Sequence, residues 1–442
     1  MAEINRIPKR WINQPNGVAG LDAMRRVTAT SMTRSAPKVR RYVQPEHYLL
    51  LHPLDNLTAI STQYSATPVL DTTNSFCGNG GIKIAGNGEK LDCRLNIPLS
   101  ESVDMTGAVI HVDLYLHPGE GTASERNLSY VQVNLYTSES PGVNGLSHRL
   151  MYLGTPAGSP AGWHRWACAV SEFGTLIGEG ADISDINCIR VAPAWTTTTA
   201  TTAVTVDRLA VVHMGSTPSA WLLRTDGSRL GAIEIARYLR KKGLSASFGL
   251  SVSDIGNEDM ISWTQARDLN RMGMDVSAYV GSAPGYAWTA WSQQTDAAKL
   301  ARLDYVYQTY AENGMPNNAA YQIMIPGGGG WLPSDEHLLA GRYTLIGGNN
   351  TGSGTHPICS LVHIERGVFP WTGFIDTGPG TVPVWLADAI AVAEGTPGSV
   401  LVLGTHYATT DQISACKAAI DALADSSLKC VTLHDLATGA WL

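Results

Sequence analysis

Two short stretches place a reactive side chain at the end of an apolar run. WLLRTDG (221–227) ends on Asp226, and VLVLGTHY (400–407) carries His406. Strand ends are where α/β folds place their chemistry. An aspartate there could ligate a divalent metal or take a proton, and a histidine could deliver one. An Asp in a T-D-G turn has a plainer use, since its carboxylate can bond the backbone two residues on. Other reactive patterns are missing. No GxSxG or HExxH occurs, and the GGGG at 327–330 is followed by neither GK[ST] nor a helix, so it is not a phosphate loop. Seven cysteines are scattered without a CxxC, which fits neither a disulfide framework nor a zinc site.

Aromatics supply a second kind of chemistry. The chain has twelve Trp to five Phe. Trp288 and Trp291 (YAWTAW), Trp331 (GGGGWL) and Trp371 (VFPWTGF) lie in Gly/Pro-rich loops. Indole faces in loops suit stacking against sugar rings. Together with Tyr279, at the end of the strand-like DVSAYVG, they form the expected glycan-binding set.

The elements that must position these residues fall into three regions. Residues 1–44 are Pro/Gly-punctuated, with a short helix expected at 21–26. Residues 1–41 carry nine Lys/Arg against Glu3 and Asp22, a charge of +7 on a chain of net −7. A basic arm on an acidic body suits docking onto an acidic partner surface. Beyond Trp11 and Tyr42 it lacks interleaved stacking aromatics, so nucleic-acid readout is not expected. Residues 45–215 alternate apolar and polar residues in AVIHVDLYLH (108–117), LSYVQVNLY (128–136), WHRWACAV, INCIRVAPAW and AVTVDRLAVVH. Ile110, Val112, Leu114 and Leu116 share one face, and His111 and Asp113 the other. Short strands with turn-rich links predict a sandwich or jelly roll. From 216 onward, helices at 232–243, 261–273, 296–313, 382–395 and 413–426 alternate with strands at 245–252, 275–281, 399–407 and 429–436, which predicts βα units.

Two resemblances follow from these segments. DISDINCIRV (182–191) and VTVDRLAVV resemble the closing strands of carbohydrate-binding jelly-roll modules. WLLRTDG, LRKKGLSASFGL, ISWTQARDLNRMGMDVSAY, VLVLGTHY and KCVTLHDLA, spread over 221–437, resemble the polysaccharide deacetylases. That resemblance implies a distorted (β/α) barrel and a divalent metal held by one Asp and two His. Asp226 matches the metal Asp and His406 the acid. The base position is Thr225, the two His positions are Tyr279 and Ala283, and the R-x-P-Y position falls on Met324–Pro326 without its Arg. The resemblance therefore implies a degenerate site with no metal, Asp226 and His406 being vestigial catalytic residues; zinc at Asp226 belongs to the alternative of an active esterase. His356, His363 and the His434–Asp435 pair are the candidates for a relocated metal site.

The expected fold is thus multidomain: an N-terminal arm, an all-β sandwich or jelly roll, then an α/β distorted (β/α) barrel. No signal peptide and no membrane span are expected. These features together point to a bacteriophage appendage, a tail fibre, tailspike or collar fibre. It would be made in the host cytoplasm and attached to other virion proteins through residues 1–44. It would bind host surface polysaccharide, as a homo-oligomer, a trimer for that class. An active glycan deacetylase and a purely structural collar or decoration protein are the alternatives.

Overall fold

A computed structural model describes residues 47–52, 54, 57–58, 60–65, 67–75, 80–117, 128–138, 144–151, 162–195, 203–280, 294–319, 322–324, 345–347, 359–360, 368–369, 373–376 and 382–438. The basic arm with its expected helix, Ala283, Trp288, Trp291, Trp331, Trp371, His356 and His363 lie outside the described residues.

The first region is two antiparallel sheets. Its strands are β1 (His47–His52), β2 (Ser61–Gln63), β3 (Val69–Asp71), β4 (Gly81–Ile84), β5 (Arg94–Val103), β6 (Val109–Leu116), β7 (Leu128–Tyr136), β8 (Gly145–Met151), β9 (Gly162–Ala169), β10 (Thr175–Ile177), β11 (Ile186–Trp195) and β12 (Val204–His213). One sheet runs β3-β4-β12-β6-β9 with β1 beside β12, and the other runs β10-β8-β7-β11-β5-β2. Every second residue of the long strands enters one shared core, among them Ile110, Val112 and Leu114 from one sheet and Val133, Leu135, Ile97, Ile189 and Val191 from the other. This is the period-2 pattern turned into a sandwich.

The face of β6 opposite the core carries His111 and Asp113, and both are buried, at 2% and 0% exposure. The outer face of β6 is therefore covered, and Asp113 survives there by pairing with Arg208 of β12. The same sheet holds a second buried carboxylate, Asp71, which accepts from Thr205 Oγ1 (2.7 Å) and from the Thr73 and Asn74 amides. Burial alone would raise its pKa, but these bonds bring it down to about 2.

The second region alternates strands and helices. These are β13 (Ala220–Asp226), α1 (Gly231–Lys241), β14 (Ser247–Ser251), α2 (Trp263–Arg271), β15 (Asp275–Tyr279), α3 (Asp296–Glu312), β16 (Gln322–Met324), β17 (Leu345–Gly347), β18 (Cys359–Ser360), β19 (Val368–Phe369), β20 (Gly373–Phe374), α4 (Val384–Glu394), β21 (Ser399–Thr405), α5 (Thr410–Ala424), β22 (Lys429–Val431) and α6 (Leu433–Thr438). Local signals start and stop the helices. Ser262 and Gln265 cap each other's backbone at α2, Thr409 and Gln412 do so at α5, and Gly243 and Gly273 leave α1 and α2 in the left-handed region. The strands form one sheet in the order β18-β21-β13-β14-β15-β16-β17-β19, parallel except for β18. Among the described residues the pairing does not close this sheet into a barrel. The expected strand over 429–436 is corrected: β22 ends at Val431 and α6 begins at Leu433. Thr432 forces the change, its hydroxyl and Asp435's carboxylate each satisfying the other's backbone N–H.

Helices cover one face of the sheet, burying Trp221, Leu223, Phe248, Leu250, Leu401 and Leu403. The alternate residues Leu222, Val400 and Val402 pack on the other face with Val212 and Met214, the end of the sandwich's β12. Ser171 to Thr396 (3.1 Å) and the Gly398 amide to Thr217 O (3.0 Å) tie the same junction. The sandwich therefore meets the parallel sheet at the N-terminal end of β13, away from its strand ends.

Candidate functional site

Strand register determines which residues share the C-terminal edge of the parallel sheet. Thr225 of β13 lies beside Thr405 of β21, so Asp226 and His406 are the next residues along adjacent strands. Asp226 pairs with Gly249 of β14, and Ser251 leads to Tyr279 of β15 and on to Met324 of β16. The sequence-derived positions Asp226, His406 and Tyr279 thus do come to one edge.

His406 has a partner that the sequence reading missed. Asp376, just after β20 and 4% exposed, accepts from the His406 backbone N–H at 2.6 Å and lies 3.4 Å from His406 Nδ1. Burial pushes the Asp376 carboxyl up, yet the His406 hydrogen bonds and charge hold it below the usual range. Thr405 Oγ1 adds a third contact at 3.3 Å, and Phe374 stacks on the imidazole at 4.2 Å. A buried carboxylate fixing a half-exposed imidazole orients a proton donor or a hydrogen-bonding ring.

The next residue is strained to permit this. Tyr407 has φ +39° and is buried, with its hydroxyl donating to Gly227 O at 2.6 Å. Gly231 opens α1 directly beneath it. A Cβ there would collide with the Tyr407 carbonyl, so only glycine lets the helix approach. Strained, over-determined backbone at a strand end is characteristic of binding and catalytic edges.

The opposite side of this edge does not carry the matching chemistry. Thr225, at the expected base position, is fully buried among the helix-facing residues, and its hydroxyl finds no partner among the described residues. Tyr279 is half-buried against the second-face cluster, where the resemblance calls for an imidazole. A divalent metal needs about three protein ligands. Among the described residues no three His, Cys, Asp or Glu side chains converge.

A second surface emerges from the sandwich. On the sheet β10-β8-β7-β11-β5-β2, one polar residue on each of five strands, on the face opposite the core, falls into line. Ser147 of β8 pairs with Asn134 of β7, Asn134 with Arg190 of β11, Arg190 with Asn96 of β5, and Asn96 with Ser61 of β2. Five strands contribute one residue each to a single row, about 19 Å long at the usual inter-strand spacing. Ser147, Asn134, Arg190 and Asn96 are all at most 5% exposed, whereas Ser61 is open. Hydrogen bonds knit the row: Arg190 Nε to Asn96 Oδ1 (2.7 Å), Asn96 Nδ2 to Ser61 Oγ (3.1 Å) and Asn134 Nδ2 to the Tyr136 hydroxyl (3.1 Å). Gln132 extends it by donating to Asn134 Oδ1 at 2.8 Å. Preorganised amides, hydroxyls and a ring on one face are the groups that recognise sugar hydroxyls. The signal was present in YVQVNLY, whose polar positions are this face.

Among the described residues Cys93, Cys416 and Cys430 are free thiols, and burial pushes those of Cys93 and Cys416 up to about 12. No helix among the described residues is long and apolar enough to cross a membrane.

No family model and no curated protein matches the chain. Among solved structures it is similar to a family 11 carbohydrate-binding module from Clostridium thermocellum in complex with a β-1,3-1,4-mixed-linked tetrasaccharide. That likeness has 11% identity, covers 38% of this chain and 95% of that one, and has a TM-score of 0.28. It is also similar to the Xyl-CE4 domain of a multidomain xylanase from the hindgut metagenome of Trinervitermes trinervoides, at 13% identity over 50% of this chain and 89% of that one, TM-score 0.33. A family 4 carbohydrate esterase from Bacillus anthracis gives 15% identity, 50% and 84% coverage, and a TM-score of 0.32. With identities and scores this low, function is argued from the chain's own residues.

Proposed function

We propose that this chain is a glycan-binding protein whose parallel-sheet region no longer performs metal-dependent deacetylation. The observation that carries the reading is the polar row Ser147–Asn134–Arg190–Asn96–Ser61 across one sandwich sheet. Buried polar side chains are costly unless they are bonded, and a run of them across five strands is an unusual use of a sheet face. The row's own hydrogen bonds offset that cost, and recognition of sugar hydroxyls is proposed as its use. Trp288, Trp291, Trp331, Trp371 and Tyr279 are proposed to add stacking contacts to the glycan. The test is a glycan array probed with the full chain and with Asn134→Ala. Saturable binding, weakened about tenfold by the substitution, supports the proposal. An intact chain that binds no glycan defeats it.

The finer reading is a phage virion appendage, a tail fibre, tailspike or collar fibre. It is attached through residues 1–44 and assembled as a homo-oligomer, a trimer for that class. The charge of +7 on residues 1–41 against −14 on the rest supports docking to an acidic virion surface. Antibody labelling of purified particles, compared with particles carrying a chain lacking residues 1–44, tests the attachment. Light scattering tests the trimer.

One observation favours a second reading, a glycan esterase. Asp376 still orients His406 at the strand-end edge. Release of acetate from an acetylated glycan, with stoichiometric metal in the purified protein, would replace the binding-only reading by this one.

A further inference from the structure

We infer that the polar row recognises an acidic sugar, with Arg190 gripping the carboxylate of a uronic acid residue. This inference rests on the sandwich face being the glycan surface. Arg190 sits at the middle of the row, two strands from either end, and is 5% exposed. Its Nε donates to Asn96 Oδ1 at 2.7 Å, and its guanidinium carbon lies 5.3 Å from the centroid of the Tyr136 ring. Both partners are neutral. Among the described residues no carboxylate lies within ion-pair distance of Arg190; Asp92, on the same side of the sheet, is taken up by Arg94 at 2.6 Å. Burial accordingly pulls the Arg190 pKa down.

A guanidinium that is desolvated, set beside an aromatic ring and bonded through Nε is a preformed fork. The planar anion that matches such a fork is a carboxylate, bound through two parallel N–H···O bonds. On either side of Arg190 the row offers neutral amides and hydroxyls, the groups that bond sugar hydroxyls. Alternation of a single cation with neutral polar groups fits one carboxylate per short stretch of sugar chain. It does not fit a dense polyanion, because the protein outside its first 41 residues carries a charge of −14 and repels one at long range. The alternative is that Arg190 only pins β11 to β5 and stacks on β7, in which case the row should be indifferent to sugar charge.

The test uses the full chain and two probes, a short neutral oligosaccharide carrying a single uronic acid residue and the same oligosaccharide with that carboxyl reduced to an alcohol. Isothermal titration should show the acidic probe binding at least about tenfold tighter. Arg190→Gln should erase that preference while keeping residual binding of both probes, and Arg190→Lys should restore only part of it. Equal or tighter binding of the neutral probe overturns the acidic specificity while leaving the sandwich-face reading intact. Preference for a sulfated oligosaccharide over the uronate overturns the carboxylate class. Failure of both probes on a folded chain, where other glycans on the array bind and Asn134→Ala has no effect, removes the sandwich-face reading itself. Should Arg190→Gln fail to fold, the probe pair on the unmodified chain still decides the question.

Discussion

The two candidate surfaces are built in opposite ways. The sandwich row takes one residue from each of five adjacent strands, and the sheet's hydrogen bonding holds those residues in register. The strand-end edge takes its residues from strand termini and the segments after them, each oriented by its own local device. Asp376 fixes His406, a strained Tyr407 caps it, and Gly231 lets α1 close in below. A ladder-held surface tolerates the loss of one group, because its neighbours stay in place. A surface assembled from termini loses its chemistry piecemeal. Thr225, buried, and Tyr279, half-buried, sit at two of these termini.

The comparison breaks most severely where the sandwich holds buried charge. Arg208→Ala strips Asp113 of its partner at 0% exposure and should cost about 3–5 kcal/mol. Because Val212 and Met214 pack with the parallel sheet, both regions should unfold in one urea transition monitored by tryptophan fluorescence. Two separated transitions would show that the regions are energetically independent. A smaller effect comes from Asp71. Its pKa of about 2 lies below the unfolded value of 3.8, so its contribution is full above about pH 4 and fades as pH falls toward 2. Asp71→Asn should lose up to about 2 kcal/mol at neutral pH, less whatever solvent screening removes, and should flatten the acid limb of the stability profile.

How much of this was legible depends on whether a position is governed by local pattern or by distant neighbours. LSYVQVNLY and INCIRVAPAW read as strands at their observed bounds, because alternation is local. The helices ending at Gly243 and Gly273 read well for the same reason. His111 and Asp113 read as lying opposite the core face, but alternation does not report that this second face is also covered. Thr432 and Asp435 turned an apparent strand into a helix start, a capping signal hidden inside an apolar run. The resemblance grouped Asp226, Tyr279 and His406 in the sequence, and the strand register sets their backbones along one edge. Asp376 was missed because FIDTG offers no periodicity, and its role exists only through a pairing 30 residues away. The polar row escaped notice because each strand shows only one or two of its members.

Smaller effects belong to the strand-end edge. Tyr407→Phe removes a 2.6 Å bond to the Gly227 carbonyl while keeping the ring that packs near Phe248. The expected loss is about 1 kcal/mol in urea denaturation. A much larger loss would mean that the strained backbone at Tyr407 depends on that bond, making the edge more integrated than its piecemeal construction suggests.

The smallest expected effect tests the contrast most directly. His406 is half exposed and contacts Asp376 and Phe374, so His406→Ala should change stability by no more than about 0.5 kcal/mol. It should also leave glycan affinity at the sandwich row unchanged, since the row lies on a different sheet. If affinity falls in titration against the same oligosaccharide, the glycan engages the strand ends as well, and the two surfaces act as one extended site. If affinity holds while acetate release from an acetylated glycan disappears, the edge still performs chemistry. Unchanged affinity, with no acetate release before or after the substitution, leaves the division as argued: a binding face held by a ladder, and a strand-end scaffold kept for its shape.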